Sequence, residues 1–493
     1  MTRWRLAAGG AALSAAMLAA ALPPWKAAFL APAALTPLLF ALAHEPQWKW
    51  RFLSGWLAGF LYWLAVCHWI GDVLAAYGGL TGPLAILTVV LFALAKGLHL
   101  AVFAALAGPL MKRAWAAPAV AALWVGIERT HGPLGFAWLT LGNAGIEMGL
   151  PLRLAPWTGV YGISFVFAAL SAALALVLMR RPRREIAWVL ALGGLWLLPA
   201  ATPREAPAEQ AAVAQPNIAG DFVWTQEEKD RMLRQLTYST LAEAIDVAKR
   251  PPAVLLWPEA PAPLYYYQDD QLRRAAAELT RLAGAPFLFG GVAFTPQREP
   301  LNSAFLVDAR GQLAGRYDKR FLVPFGEFIP PGFGWIGKIS SEAGNYAAGQ
   351  RPGVFTVAGH RLGVFICYES AFPHLVRAVA EGGAEVLINL TNDGYFGRSR
   401  APREQHLWLA RMRAVENHRW LLRPANDGLT AAIDPGGRVW DSLPEFTRQT
   451  GRLRFGWLRE RTFYTRWGDW FAWGCLVLGL AACVAAWAPV YRP

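Results

Sequence analysis

The chain has 493 residues, of which 55% are hydrophobic, 13% aromatic and only 16% charged. Soluble domains carry about 25% charged residues, so this composition excludes a disordered chain, a collagen and a wholly soluble enzyme. Lys and Arg number 47 against 34 Asp and Glu, a net charge of +13; in a lipid-embedded chain basic inward loops require such an excess, and no zinc-finger or helicase-like motif points to nucleic acid.

Apolar runs dominate the first 200 residues. Expected spans cover roughly 6–22, 27–43, 53–71, 83–108, 115–128, 157–179, 186–201 and, after a long gap, 468–489. About 20 apolar residues are needed to cross the hydrocarbon of a bilayer; the fifth run is short and is followed by Glu128, Arg129 and His131. Lys96 and His99 fall inside span four and His68 inside span three. Such groups are functional candidates in a membrane, against the plainer expectation of snorkelling, carboxylate pairing or polar packing.

Arg3 and Arg5, Lys49 and Arg51, Lys112 and Arg113, Arg180 to Arg184, and Arg492 alternate with the eight spans so as to share one side. The positive-inside rule makes that side cytoplasmic. Both termini are then cytoplasmic, and whatever lies between spans seven and eight is on the far side. The first span resembles a signal peptide, but removing it would break the alternation of basic loops, so it is expected to stay.

Residues about 205–465 read differently. Strands are expected at 211–215, 253–257, 287–294, 304–308, 363–367 and 386–390, and helices at 225–250, 268–282 and 403–418. Asp434-Pro435-Gly436-Gly437 signals a hairpin between strands 431–433 and 438–440. Interspersed strands and helices argue for layered α/β structure. The expected organisation is an N-terminal transmembrane bundle over 1–204, a soluble domain over 205–465 and a C-terminal transmembrane helix over 466–493.

Of the four cysteines, Cys67, Cys475 and Cys483 lie in apolar runs and only Cys367 lies in the α/β region, so no disulfide framework can be read. Cys367 ends an apolar strand-like run, as Glu259 does after Val254-Leu255-Leu256-Trp257-Pro258; Lys319 follows Arg316-Tyr317-Asp318. Ligands collect at strand ends in layered α/β folds. Together the three side chains make a nucleophile, a base and a cation. A thiol attacks as thiolate, a carboxylate can take its proton, and an ammonium can stabilise the oxyanion that follows. Each alone has a plainer reading: a buried small hydrophobe, a turn carboxylate, a solvated amine. His360, His374, His406 and His418 lack the spacing of a zinc site, and no glycine-rich phosphate loop is evident.

The segments Trp257-Pro258-Glu259-Ala260, Tyr317-Asp318-Lys319 with Leu322-Val323-Pro324-Phe325-Gly326-Glu327, and Ile366-Cys367-Tyr368-Glu369 resemble the three signature blocks of the carbon–nitrogen hydrolase (nitrilase) superfamily. With membrane spans on both sides, the chain resembles the apolipoprotein N-acyltransferase family of the bacterial inner membrane. The resemblance implies an αββα sandwich on the periplasmic side. It implies Glu259 as general base, Lys319 as oxyanion cation and Cys367 as nucleophile, with Glu327 orienting the lysine and Tyr368 and Glu369 supporting the nucleophile. Trp224 matches an aromatic of the family's active-site loop, although Gln215-Pro216-Asn217-Ile218 departs from the family's Gln-Gly-Asn pattern. Tyr395, in Asn392-Asp393-Gly394-Tyr395-Phe396-Gly397, stands where the family has Trp.

The resemblance further implies a reaction that needs no cofactor. A phospholipid, typically phosphatidylethanolamine, gives an acyl chain to Cys367 as a thioester. The α-amine of a diacylglyceryl-cysteine apolipoprotein then takes it as an amide. The rivals are a membrane-tethered amidase that passes the acyl group to water, and a transporter or flippase with an inert soluble domain. The aromatic segments 263–267 and 331–336 are expected either to dip into lipid as a gate or to be ordinary packing. Arg411, Arg413, Glu416 and Arg419 read as a salt-bridged helix face, with head-group contact as the alternative.

Overall fold

The computed structural model describes residues 3–132, 136–200, 206–219, 222, 224–260, 262–329 and 345–487. Arg492 and the segment 331–336 lie outside them. Among the described residues, three helices are long and apolar enough to cross a membrane: Gly82–Leu110, Val160–Leu178 and Trp470–Trp487. The helices Trp48–Cys67 and Trp69–Ala76, bent by 52° at His68, make a fourth if counted as one span. The remaining apolar runs form shorter pieces. Arg3–Ala20 is a helix of 18 residues and Ala116–Arg129 one of 14. The second run is split, because Pro32 and Pro37 break it into a 3-10 turn, Ala28–Ala33, and a helix, Thr36–His44. The seventh is a 3-10 helix, Ala187–Leu197.

Several buried polar groups of this bundle have partners inside it. Lys96 does not pair with a carboxylate: its Nζ donates to the Phe136 carbonyl at 3.0 Å and lies 4.9 Å from the centre of the Trp63 ring. The His99 ring meets that of His131 at 4.3 Å. The buried Arg129 pairs with Asp469 at 2.7 Å, tying the helix Ala116–Arg129 to the start of Trp470–Trp487.

The α/β region is two six-stranded sheets. The first contains β1 (Glu209–Gln215), β2 (Val254–Leu256), β3 (Phe287–Phe294), β4 (Pro300–Val307) and β5 (Leu313–Asp318). The second contains β6 (Gly353–Val357), β7 (His360–Ile366), β8 (Val386–Leu390), β9 (Leu421–Arg423), β10 (Ala431–Ile433) and β11 (Val439–Ser442). β12 (Gln449–Phe455) returns to the first sheet beside β1. The spatial orders are β12-β1-β2-β3-β4-β5 and β11-β10-β9-β8-β7-β6. In each sheet a parallel core, β1-β2-β3 or β7-β8-β9, is flanked by antiparallel strands. The hairpin at 434–437 forms as the turn residues require, joining β10 and β11.

Val213, Leu256, Leu288 and Leu306 of the first sheet meet Val364, Ile366, Ile388 and Leu422 of the second in one buried cluster. The sheets therefore face each other. The outer face of the first sheet is covered by helices Gln226–Ala244 and Asp270–Ala283, whose Leu233, Leu236, Leu272 and Leu279 meet Leu255, Phe287 and Phe305. Thr225 and Glu228 form a capping box at the start of the former. This helix stops at Ala244, six residues before the expected end, where Asp246 bonds the Ala248 amide in a turn ahead of Pro251-Pro252.

The outer face of the second sheet carries helices Pro373–Glu381 and Arg400–Asn417, and their apolar side chains belong to the same buried cluster as the helical bundle. Gln405, fully buried, makes this junction polar as well as apolar. Its Nε2 donates to the carbonyls of Pro23 (3.0 Å) and Val66 (3.1 Å), and its Oε1 accepts from the indoles of Trp69 (3.2 Å) and Trp138 (2.8 Å). Of the basic helix face, Arg413 pairs with Glu416 at 2.8 Å and Arg411 with Glu147 at 2.5 Å, and Glu416 also accepts from the Val160 amide at 2.9 Å. That face is spent on salt bridges and on the bundle. Gln405→Leu would leave two buried indoles and two carbonyls without partners, each costing about 1–3 kcal/mol. Thermal unfolding of the purified variant should show a marked drop in Tm, whereas an exposed control, Glu227→Gln, should leave it unchanged.

Candidate active site

The site forms where the carboxyl ends of β2, β5, β7 and β8 converge. Trp257, anchored by its indole on Thr240 Oγ1 at 2.9 Å, fixes the end of β2. The chain then turns through Glu259 and Ala260, the latter at φ +24°. Gly290 of β3 allows this close approach: a Cβ there would collide with the Ala260 nitrogen and lie 2.7 Å from Glu259 Cα.

Lys319, just past β5, is 1% exposed. Its Nζ lies 3.1 Å from Glu259 Oε1 and 2.9 Å from Glu327 Oε1. Asn302 of β4 donates through one Nδ2 to both carboxylates, at 2.8 and 2.7 Å. The outer oxygens are held by backbone: Asn392 N donates to Glu259 Oε2 at 3.0 Å and Val323 N to Glu327 Oε2 at 2.8 Å. Burial alone would push the Lys319 ammonium down, but the Glu259 and Glu327 charges outweigh it and hold the group well above its ordinary range.

Cys367 follows β7 in the left-handed region, φ +50°, and opens the short 3-10 turn Cys367–Ala371. A cysteine gains nothing from that backbone region, so the surroundings must hold it there. Burial and then the Glu259 charge push its thiol well above the ordinary range, with Lys319 pulling the other way. Its carbonyl accepts from His406 Nε2 at 3.0 Å, and His406 Nδ1 meets Asp393 Oδ1 at 2.9 Å. Arg423 in turn pairs with Asp393 at 2.9 Å.

Glu369 is buried behind the site and receives four donors. They are Tyr317 OH (2.8 Å), Arg320 N (2.7 Å), Phe321 N (3.2 Å) and Ile366 N (2.7 Å). Burial pushes this carboxyl up, and the Ile366 and Arg320 amides partly offset the rise. One carboxylate thus ties the Lys319 loop to the residue before Cys367. Tyr368 points the other way: its hydroxyl donates to the Ala137 carbonyl of the bundle at 3.1 Å, and its ring stacks on Phe136 at 5.6 Å.

Five of the eight residues singled out in the sequence therefore gather at one site: Glu259, Lys319, Glu327, Cys367 and Glu369, while Tyr368 adjoins Cys367 but turns into the bundle. Trp224 stands apart, half-buried against the layer over the first sheet and edge-on to Phe222 at 4.7 Å. Tyr395 is 55% exposed and meets Tyr77 of the bundle at 5.6 Å. In the segment 263–267, Tyr266 is buried and stacks on Phe305 at 5.2 Å, which is core packing; Tyr267 is exposed. Sequence reasoning missed Asn302 and the Asp393–His406 pair. Asn302 had no local signal. Asp393 lay within a quoted block, and His406 follows it by 13 residues on the next helix. Among the described residues, no group of three His, Cys, Asp or Glu is arranged to hold a metal ion.

Residues 210–452 match the carbon-nitrogen hydrolase family, and residues 14–173 match the apolipoprotein N-acyltransferase N-terminal domain. A relative named apolipoprotein N-acyltransferase from Geobacter metallireducens is 33% identical over 97% of this chain and 94% of its own length. The chain belongs to the apolipoprotein N-acyltransferase family. A second relative of that name, from Azotobacter vinelandii, is 33% identical over 95% of this chain and 91% of its own. An amidase of the nitrilase superfamily from Nesterenkonia covers 54% of this chain and 95% of its own at 19% identity, with a TM-score of 0.40. The chain is accordingly an N-acyltransferase of lipoprotein biosynthesis, built as a nitrilase-like domain on apolar helices.

The geometry makes Glu369 a candidate positioning residue, since it bonds both the Lys319 loop and the residue before Cys367. Glu369→Gln keeps the shape, but its NH2 cannot accept from the Arg320, Phe321 and Ile366 amides, which can only donate. A displacement of the Cys367 turn by about 1 Å suffices to cost about 100-fold in turnover. Acyl transfer should fall by that order while the far-UV circular dichroism stays that of the parent; unchanged turnover would remove Glu369 from this role.

Proposed function

We propose that the chain moves an acyl chain from a membrane phospholipid to the α-amine of a diacylglyceryl-cysteine apolipoprotein, through a thioester on Cys367. The observation that supports this best is the buried Glu259–Lys319–Glu327 cluster, whose charges act on the Cys367 thiol. Phosphatidylethanolamine is the proposed donor.

Cys367 Sγ attacks the donor ester carbon while its proton passes to Glu259. Lys319 Nζ stabilises the tetrahedral oxyanion. Collapse breaks the ester C–O bond, the glycerol oxygen takes the proton from Glu259, and the lysophospholipid leaves. In the second half the amine attacks the thioester and gives a proton to Glu259. The C–S bond then breaks, and the sulfur is reprotonated as the amide leaves. Thioester to amide is downhill, so the cycle needs no nucleotide. Glu327 keeps Lys319 charged and in place. Trp224 and Tyr395 are proposed to border the substrate path.

The proposed topology has eight passes, with both termini in the cytoplasm and the catalytic domain in the periplasm of a bacterial inner membrane. It divides the chain at 1–204, 205–465 and 466–493, with the domain inserted between passes seven and eight. The one-sided run of basic loops supports this arrangement.

Incubation with phosphatidylethanolamine should add one acyl mass to the intact protein, on Cys367, and the adduct should clear on adding a diacylated lipopeptide. Cys367→Ser should lose amide formation while remaining folded. Free fatty acid without amide would favour the hydrolase reading. The raised thiol has a further consequence. Alkylation of Cys367 by iodoacetamide should be slow at neutral pH and rise with a midpoint above that of an ordinary thiol. Glu259→Gln removes a negative charge beside the sulfur, so the midpoint should fall, although acyl transfer is lost with the base. A midpoint that rises or stays put would contradict the proposed role of Glu259.

A further inference from the structure

The helices Trp48–Cys67, Gly82–Leu110 and Trp470–Trp487 each have one end toward the α/β domain. Trp69, just beyond the first, bonds Gln405, and Trp470 meets Phe463 at 5.6 Å. Their other ends, at Trp48, Leu110 and Trp487, enclose a crevice of about 650 Å³. At 1.5 Å per residue, the 20-residue helix Trp48–Cys67 separates that crevice from the domain by about 30 Å.

Four cations line the crevice: Lys49, Arg51, Lys112 and Arg113. Among the described residues, no carboxylate does. Glu45 stands nearby, and its Oε1 accepts from the Gln47 amide at 2.9 Å. Arg113 is partly engaged, donating to the Ala486 carbonyl at 2.5 Å. Arg51 is the unusual member. It is 5% exposed, and its Nε has no hydrogen-bond partner. Gly108 makes room for it: a Cβ there would lie 2.9 Å from Arg51 Nη1. A buried guanidinium with an idle donor costs free energy unless an acceptor arrives.

The surroundings indicate where that acceptor comes from. Trp48 and Trp487, 53% and 60% exposed, rim the crevice, as indoles do at the boundary of hydrocarbon and water. Leu53, Leu480 and Val484 are exposed on the helix faces leading away from it, toward the bundle's middle. A ligand with a phosphate at the crevice and apolar chains along those faces satisfies both observations.

We propose that this crevice binds the phosphate of an anionic phospholipid in the leaflet opposite the catalytic domain. Arg51 and Arg113 supply guanidinium donors to the phosphate oxygens, and Lys49 and Lys112 supply point charges at the mouth. The lipid bound here is a ligand of the bundle, not the acyl donor, because it lies a full helix length from Cys367. It bridges the amino ends of Trp48–Cys67 and the carboxyl ends of Gly82–Leu110 and Trp470–Trp487.

The test uses the full-length protein, delipidated in detergent, with dioleoylphosphatidylglycerol, dioleoylphosphatidylcholine or inorganic phosphate added. Native mass spectrometry should show phosphatidylglycerol retained in preference to phosphatidylcholine, and only phosphatidylglycerol should raise Tm. The exposed pair Lys49→Gln/Lys112→Gln should weaken phosphatidylglycerol retention by roughly five-fold for each cation removed, with circular dichroism unchanged. Arg51→Gln should weaken it further, and Arg51→Lys should restore part of the loss. Equal retention of both lipids, or full retention by the Lys49→Gln/Lys112→Gln protein, would overturn the site. A rise in Tm with inorganic phosphate equal to that with phosphatidylglycerol would overturn the lipid assignment. The exposed pair keeps the test valid if Arg51→Gln does not fold.

Discussion

The structure depends on one buried ammonium shared by two carboxylates. Removing three charges from water is expensive, and attraction repays it only when the remaining lone pairs are satisfied. Here they are. Glu259 and Glu327 each use one oxygen on Lys319 and Asn302, and the other on a backbone amide. The cluster still carries one net negative charge. Burial first, and then that excess charge, disfavour a further negative charge on the neighbouring sulfur and push its thiol up. A protonated sulfur is less open to oxidation than a thiolate. Its groups come from both sheets: β2, β4 and β5 supply the cluster, and β7 and β8 supply Cys367 and Asn392. The contact between the sheets is thus what brings the cluster and Cys367 together.

The second constraint is the junction of domain and bundle. A nitrilase-like sandwich could cover its second sheet with a helix layer that faces water. In this chain that layer, Pro373–Glu381 and Arg400–Asn417, is buried in the same apolar cluster as the membrane-type helices. Polar groups then fix the register of the two parts. Gln405 holds four partners in the bundle, and the next residue, His406, holds the Cys367 carbonyl. Adjacent residues on one helix diverge by about 100°, so Gln405 reaches the bundle while His406 reaches the Cys367 carbonyl. The helix that joins the bundle therefore also holds the Cys367 backbone.

Much of this was legible in the sequence, for identifiable reasons. β3, β8 and β10 were bounded correctly, since each is a continuous apolar run between turn residues. β6 and β12 were not read and β5 was read only as the strand end at 316–319, because polar residues such as Arg316 and the alternating Arg452 and Arg454 hide pairing with distant strands. Glu259, Lys319 and Cys367 were visible as reactive groups at strand ends. Asn302 was not, since nothing near it in the chain marks a residue whose partners lie 43 and 25 positions away. In the bundle, hydropathy marked the runs but not their breaks. Pro32 and Pro37 split one, and the bend at His68 turned the end of another toward the domain, where Trp69 meets Gln405.

Three non-glycine residues with positive φ stand at the site: Ala260, Phe325 and Cys367. Each adjoins a functional side chain or carries one, and each such conformation costs on the order of 1–3 kcal/mol. For Cys367 the return is a divergence of direction. At φ +50° the chain leaves β7 sharply enough that three consecutive side chains serve three different regions. Cys367 faces the carboxylate–lysine cluster, Tyr368 enters the bundle to meet Ala137 and Phe136, and Glu369 turns back to the Lys319 loop. A residue at ordinary strand angles would send alternate side chains to the same face, placing the sulfur and the Glu369 carboxylate together. The four donors on Glu369 and the His406 bond to the Cys367 carbonyl offset the backbone cost. The Cys-Tyr-Glu sequence is best understood as one turn whose strain sends three consecutive side chains to three different surroundings.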